Sequence, residues 1–170
     1  MLTKSKQANK NLCDTDFQLW VEKTVKQLED RDFDSLDLLN LIEEISDLSR
    51  RDRKKLKNLL RNLIEHLLKL KYWESERNNN QGHWQGEIAN FRKQIRDELE
   101  DSPSLKPYLR EIFDECYQDG REIASKRSQL PLITFPEKAI ANLDQVLDES
   151  WYPECYVEIV NLSQIEESKQ

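Results

Sequence analysis

A chain of 170 residues with 35% charged and 37% apolar side chains can bury a core of its own and is too apolar for a disordered composition. Three glycines are too few for the many tight turns of an all-β fold, and no run of about 18 apolar residues is present to cross a membrane. A net charge of −7 argues against a surface drawn as a whole to nucleic acid. Cys13, Cys116 and Cys155 lie far apart without a paired spacing, which implies reduced thiols and neither a disulfide framework nor a zinc site. The polar segment Met1 to Asn11 has no apolar stretch of a secretory leader, so a cytoplasmic location is expected.

Helix formers dominate, and the apolar residues recur at helical spacing. The first helix is expected over Thr15 to Asp30, capped by Asp14 or Thr15, with Phe17, Trp20, Val21, Thr24 and Leu28 on one face. A second, starting near Asp34 or Ser35, has Leu38, Leu41, Ile42, Ile45 and Leu48 as its buried stripe. A third carries Leu56, Leu59, Leu60, Leu63, Ile64, Leu67 and Leu70 and ends at Trp73. Between them Ser49 to Arg53 is wholly polar, and continuing the stripe would place Asp52 in the core. The expectation is therefore two antiparallel helices, 36–49 and 52–73. Eight acids stand against one base from Leu28 to Asp47, and nine bases against two acids from Arg50 to Lys71, so paired helices would neutralise one another.

Glu74 to Gly82 reads as a polar loop. A fourth helix follows, with Trp84, Ile88, Phe91, Ile95 and Leu99. Pro103 or Pro107 opens a fifth helix bearing Leu105, Leu109, Ile112, Phe113, Cys116 and Ile123, with Gly120 inside it as a point of close helix approach. Leu130 to Pro136 is irregular, a short helix lies near Asn142 to Leu147, and Trp151-Tyr152-Pro153 packs back on the bundle. Tyr156 to Leu162 reads as a short strand or irregular chain. The expected class is all-α, a helical bundle of four to five main helices with an irregular C-terminal segment. Its expected organisation is a flexible 1–13, one helical-bundle domain over 14–153, and a tail over 154–170.

Several pieces of this sequence, in order, resemble the bacterial, largely cyanobacterial domain-of-unknown-function family 29. They are Asp14-Thr15-Asp16-Phe17 with Leu19-Trp20, Asn40-Leu41-Ile42-Glu43-Glu44-Ile45, and His66-Leu67-Leu68-Lys69. Trp84 with Ile88, Asp101-Ser102-Pro103-Ser104-Leu105 with Pro107-Tyr108-Leu109, Leu130-Pro131, Phe135-Pro136, and Leu143 to Asp148 complete the set. The resemblance implies an all-helical fold and no particular activity.

Chemically suggestive residues concentrate on the two central helices. Asn58, Asn62, His66 and Lys69 form a polar seam beside the leucines, and Asn40, Glu44 and Asp47 form another on the preceding helix. In an antiparallel pair, Glu44 or Glu43 would approach Asn62 or His66. A carboxylate holding an imidazole proton serves a general base, a metal ligand or simple satisfaction of a half-buried histidine. No Glu-x-x-His pair is present for di-iron chemistry. Arg61-Asn62-Leu63-Ile64-Glu65-His66 also resembles the Arg-polar-x-x-x-His motif of the HEPN class of helical ribonucleases and nucleotide-binding proteins. That resemblance implies a phosphate contact for Arg61, a supporting role for Asn62, and His66 acting in attack by a ribose 2′-hydroxyl. His83 reads as a cap or surface residue beside Trp84, a core residue.

The leading expectation is a non-enzymatic binding or regulatory module for another macromolecule, with no cofactor and no metal, and with an unknown protein as partner. Self-association, and nucleic acid at the basic 50–71 stretch, are further partner expectations; a membrane is not. The alternative is a HEPN-like ribonuclease or nucleotide-binding protein using Arg61, Asn62 and His66; Glu44 is the remaining candidate site residue, as the carboxylate that would approach His66.

Overall fold

In a computed structural model the described residues are 12–154, and the chain divides into two compact units, Met1–Asp52 and Arg53–Gln170. The expected strand or irregular segment at 156–162 lies outside the described residues. Among the described residues the regular structure is all helical. The principal helices are α1 (Phe17–Glu29), α2 (Leu38–Tyr72), α3 (Glu74–Asp101), α4 (Lys106–Glu111), α5 (Phe113–Ser128) and α6 (Leu143–Leu147). The smaller unit holds α1 and the first part of α2; the larger holds the rest.

In the smaller unit Asp16, one residue beyond the expected caps, accepts from the Leu19 amide and starts α1. A short 3-10 turn, Phe33–Ser35, follows, tied back by Gln27 donating to the Ser35 carbonyl at 3.1 Å. The cap of α2 is Asp37, not Asp34 or Ser35: its carboxylate takes the Asn40 side-chain amide at 2.7 Å and its backbone amide at 3.5 Å.

The expected antiparallel pair 36–49 and 52–73 is one helix. No glycine or proline interrupts Ser49 to Arg53, and arginine and lysine are good helix formers. Asp52 is exposed, so the argument that it would be buried does not apply. Glu43 and Glu44 therefore belong to the same helix as Asn62 and His66, and the two antiparallel helices on which their expected approach rested are not formed. The acidic and basic stretches likewise do not pair as neighbouring helices. The basic stretch instead meets acids elsewhere: Lys55 pairs with Glu98 on α3, and Lys57 with Glu115 on α5 at 2.6 Å. Arg53 lies over the Tyr108 ring.

Glu74 to Gly82, expected as a loop, is the start of α3. Only Trp73 separates the two helices. Arg77 closes this sharp turn by donating to the last α2 carbonyls, those of Leu70 (2.8 Å) and Lys71, while Trp73 stacks on Trp84. The larger unit's core is the leucine run of α2 with Trp84, Ile88 and Ile95 of α3, Leu109, Ile112, Cys116, Tyr117, Ala124, Phe135 and Val146. The expected fifth helix is two, α4 and α5, separated at Ile112. After α5, Gln129 adopts the left-handed conformation that ends the helix (φ 60°). Side chains then hold the irregular segment by its carbonyls: Tyr117 bonds Pro136, Arg121 bonds Phe135, and fully buried Arg92 bonds Val146 and Trp151. Asn142 and Gln145 form a capping box for α6. Trp151 and Tyr152 pack on the core, as expected.

Gly120 is the expected point of close approach. A Cβ there would lie 3.0 Å from Ile64 Cγ2 and 3.1 Å from the Arg61 carbonyl oxygen, against the backbone of α2. Gly86, exposed on α3, has open space around it. In urea denaturation Gly86→Ala is expected to gain up to about 1 kcal/mol of helix propensity. Gly120→Ala is expected to lose about 1–3 kcal/mol to overpacking, despite the same propensity gain.

Candidate functional site

Two features of the described residues have chemistry beyond packing: a buried charged network in the larger unit and an open apolar groove in the smaller one.

Along the middle of α2 apolar residues occupy every face, so polar side chains between them are buried too. Glu65 is 1% exposed, His66 7% and Lys69 5%. One carboxylate oxygen of Glu65 accepts from Lys69 Nζ at 3.1 Å and from Arg127 Nη1 of α5 at 2.9 Å. The other oxygen is buried with no hydrogen-bond partner among the described residues. His66 Nδ1 lies 2.9 Å from the Asn62 backbone carbonyl, to which it donates; its Nε2 then carries the lone pair and accepts from Lys69 Nζ at 3.3 Å. The ring packs against Phe91, and the Lys69 ammonium lies over Trp84. Burial holds the His66 pKa below its ordinary value, opposed by the Asn62 carbonyl and Glu65 and assisted by the Lys69 charge. The imidazole is therefore a neutral link, engaged at both nitrogens.

Of the sequence-indicated residues, the structure joins His66 to Asn62 (through its backbone) and to Lys69. The Arg61 backbone lies against Gly120 of α5, and its side-chain Nε is buried with no hydrogen-bond partner among the described residues. His83 is exposed and Trp84 buried, as expected. Glu65, Arg127 and Phe91 belong to the network and were not singled out from the sequence as its members. The signal for Glu65 was present: it sits inside a stretch that is apolar on all sides, where a carboxylate must find a cation. Burial pushes the Cys116 thiol up to about 12, so it is no poised nucleophile. Among the described residues no group of three or more His, Cys, Asp or Glu side chains could hold a metal ion.

The groove lies in the smaller unit, between α1 and the first part of α2. It encloses about 240 Å³ and is lined by Phe17, Trp20, Val21, Thr24, Val25 and Leu28 on one side and by Leu41, Glu44, Ile45, Leu48 and Arg51 on the other. Among the described residues of this unit only Trp20, Thr24 and Leu36 are buried. Of the stripe expected to be core, Leu41 is half-buried, while Leu38, Ile42, Ile45 and Leu48 are more than half exposed. Leu39, beside it, is 74% exposed. Trp20 is 3% exposed, and its indole N–H has no acceptor among the described residues. Glu44 and Arg51 close the α2 side as a loose ion pair at 3.7 Å.

Residues 12–152 match the model of a protein family described as a domain of unknown function, DUF29. No curated protein and no solved structure matches the chain.

Lowering the pH should destabilise the fold through His66. Its folded pKa is depressed, so the unfolded chain takes up the proton first. The contribution of the neutral ring is fully present above the unfolded value near ~6.5 and is lost as pH falls below it. Thermal unfolding between about pH 7.5 and 5 should show this acid loss, and His66→Gln should flatten it. Glu65→Ala, which strands Lys69 in the core, is expected to cost about 3–5 kcal/mol in the same assay.

Proposed function

The chain belongs to the DUF29 family, a domain of unknown function, and from its geometry we propose that it is a binding module whose working surface is the open groove of the smaller unit. The observation that carries this reading is the apolar lining of that groove, where the exposed Ile45 and Leu48 of α2 stand opposite the exposed Phe17, Val25 and Leu28 of α1. Contiguous apolar surface of this kind on a folded domain marks a place where another macromolecule sits. The buried network supports the same reading from the other side: both nitrogens of His66 already have partners, and its charges serve each other. Regulation follows naturally from such a module, because occupancy of the groove is its variable.

The second reading, RNA cleavage by Arg61, Asn62 and His66, has the Arg61-to-His66 spacing in its favour. Both readings meet the same pair of measurements. Tagged full-length protein and its Ile45→Asp variant are recovered from the native cell and compared by mass spectrometry. The binding reading expects a protein held by the parent chain and lost from the variant, with circular dichroism unchanged. A partnerless protein that cleaves RNA, with cleavage abolished in His66→Ala, would overturn it.

A further inference from the structure

The larger unit holds a cavity of about 300 Å³ between α3, the start of α4 and the end of α6. Its floor is apolar, made of Ile95, Leu99 and Leu147. Three cations line it, Arg92, Arg96 and Lys106, against two acids, Glu100 and Glu149. The lining is therefore positive on a chain whose net charge is −7. Arg92 is 2% exposed, and its hydrogen bonds run to the backbone carbonyls of Val146 (2.9 Å), Glu149 (3.4 Å) and Trp151 (2.7 Å). The Tyr152 ring faces its guanidinium, and among the described residues no carboxylate forms an ion pair with it. The two acids whose fields reach it are engaged elsewhere: Glu149 pairs with Arg96, and Asp148 accepts from the amide and hydroxyl of Ser150. The carbonyls thus fix the position of Arg92 but leave its charge unbalanced, and a buried cation in that state calls for an anion. Lys106, on the same lining, has no hydrogen-bond or ion-pair partner among the described residues. A second cavity, of about 240 Å³, shares Leu99, Lys106 and Leu147 with the first and extends the apolar floor to Leu109 and Leu143.

We propose that these joined cavities bind a small amphipathic anion, its charged head at Arg92 and Lys106 and its single apolar chain along Leu99 and Leu147. An apolar floor with a few convergent polar groups is the usual make-up of a ligand site, and the volume stands at the small end of such sites. The head contacts Lys106 directly, and its charge offsets that of Arg92 through a partly desolvated medium where the attraction is strong. The chain covers leucines that are only half-buried. Arg96 and Glu149 are both largely exposed, so their pair is weak and Glu149 competes with the incoming head for the cations. This site lies wholly in the larger unit, and its occupancy is independent of the groove in the smaller one.

The test is isothermal titration calorimetry of the full chain with four probes: octanoate, octyl phosphate, octylammonium and acetate. Octanoate or octyl phosphate should bind saturably with a Kd below about 1 mM. Octylammonium, which has the chain with the opposite charge, and acetate, which has the head without the chain, should bind at least about tenfold more weakly. Whichever of the two anions binds more tightly identifies the head as carboxylate or phosphate, and either order supports the site. Arg92 also ties down the segment after α6, so the variants leave it in place and change exposed residues, with circular dichroism as the check on folding. Lys106→Glu should weaken the tighter anion about tenfold or more, as loss of a charged contact does. Glu149→Gln should tighten it by about threefold, because the competing carboxylate is removed while the backbone carbonyl that Arg92 uses remains. A merely structural part for these two side chains would not move affinity in opposite directions. Octylammonium binding as well as octanoate would reduce the cavity to an apolar hole and overturn the anion. Acetate binding as well as octanoate would overturn the apolar chain. Failure of both octanoate and octyl phosphate to bind, or binding untouched by Lys106→Glu, would overturn the site.

Discussion

Two helices cannot bury each other's apolar stripes. Each can turn one narrow face to its neighbour, and the rest of a broad stripe stays in water. The smaller unit lives under this constraint: α1 and the first part of α2 between them enclose Trp20, Thr24 and Leu36 and little else. A unit of this size has too small a core to be robust by burial alone. Its leucines and isoleucines are nevertheless placed at regular helical spacing, as a packed helix requires. The sequence is therefore patterned for a layer that the unit itself does not supply, and from this mismatch the groove, its exposed lining and the unpaired Trp20 N–H all follow.

The larger unit solves the opposite problem. Its leucine run on α2 is covered on all sides, so the polar residues caught within it have to satisfy one another. Glu65 draws in Lys69 from its own helix and Arg127 from α5, and Lys69 in turn occupies His66. Removing a single member would leave a buried charge uncompensated, a far larger penalty than the pair's net contribution. Arg92 applies the same logic to backbone: one buried guanidinium ties α3 to the carbonyls of Val146 and Trp151, and so fixes a segment with little regular structure of its own. Here buried polarity organises the fold and is used up in doing so.

The sequence pattern made the all-helical class legible, along with the stripe of Trp84, Ile88 and Ile95, the close approach at Gly120 and the short helix near Asn142. Each rests on local periodicity or on a residue whose chemistry has few uses. What was not legible depended on surroundings. Ser49 to Arg53 looked like a turn because the stripe around it was assumed to be buried; on an exposed stretch, a polar run of good helix formers continues the helix. Glu74 to Gly82 looked like a loop because asparagine and glycine are poor helix formers, but Arg77 closes the α2 end there and Asn80 binds the Glu76 carboxylate, which favours the helix. The candidate pairing of Glu44 with His66 depended on the missing turn. Once α2 is continuous, each of these residues takes its meaning from its own unit.

That separation gives each unpaired polar atom a different sense. The free oxygen of Glu65 and the Nε of Arg61 sit inside a unit whose apolar surface is already covered, where a residual imperfection is tolerated by the strong pairs beside it. The Trp20 N–H sits in the lining of an open groove, among apolar side chains that are themselves unfinished. Unsatisfied polarity and unsatisfied hydrophobicity thus coincide in the smaller unit. The apolar side chains that the described residues of the smaller unit leave in water are therefore where its surface differs most from that of the larger unit, whose α2 leucines are covered.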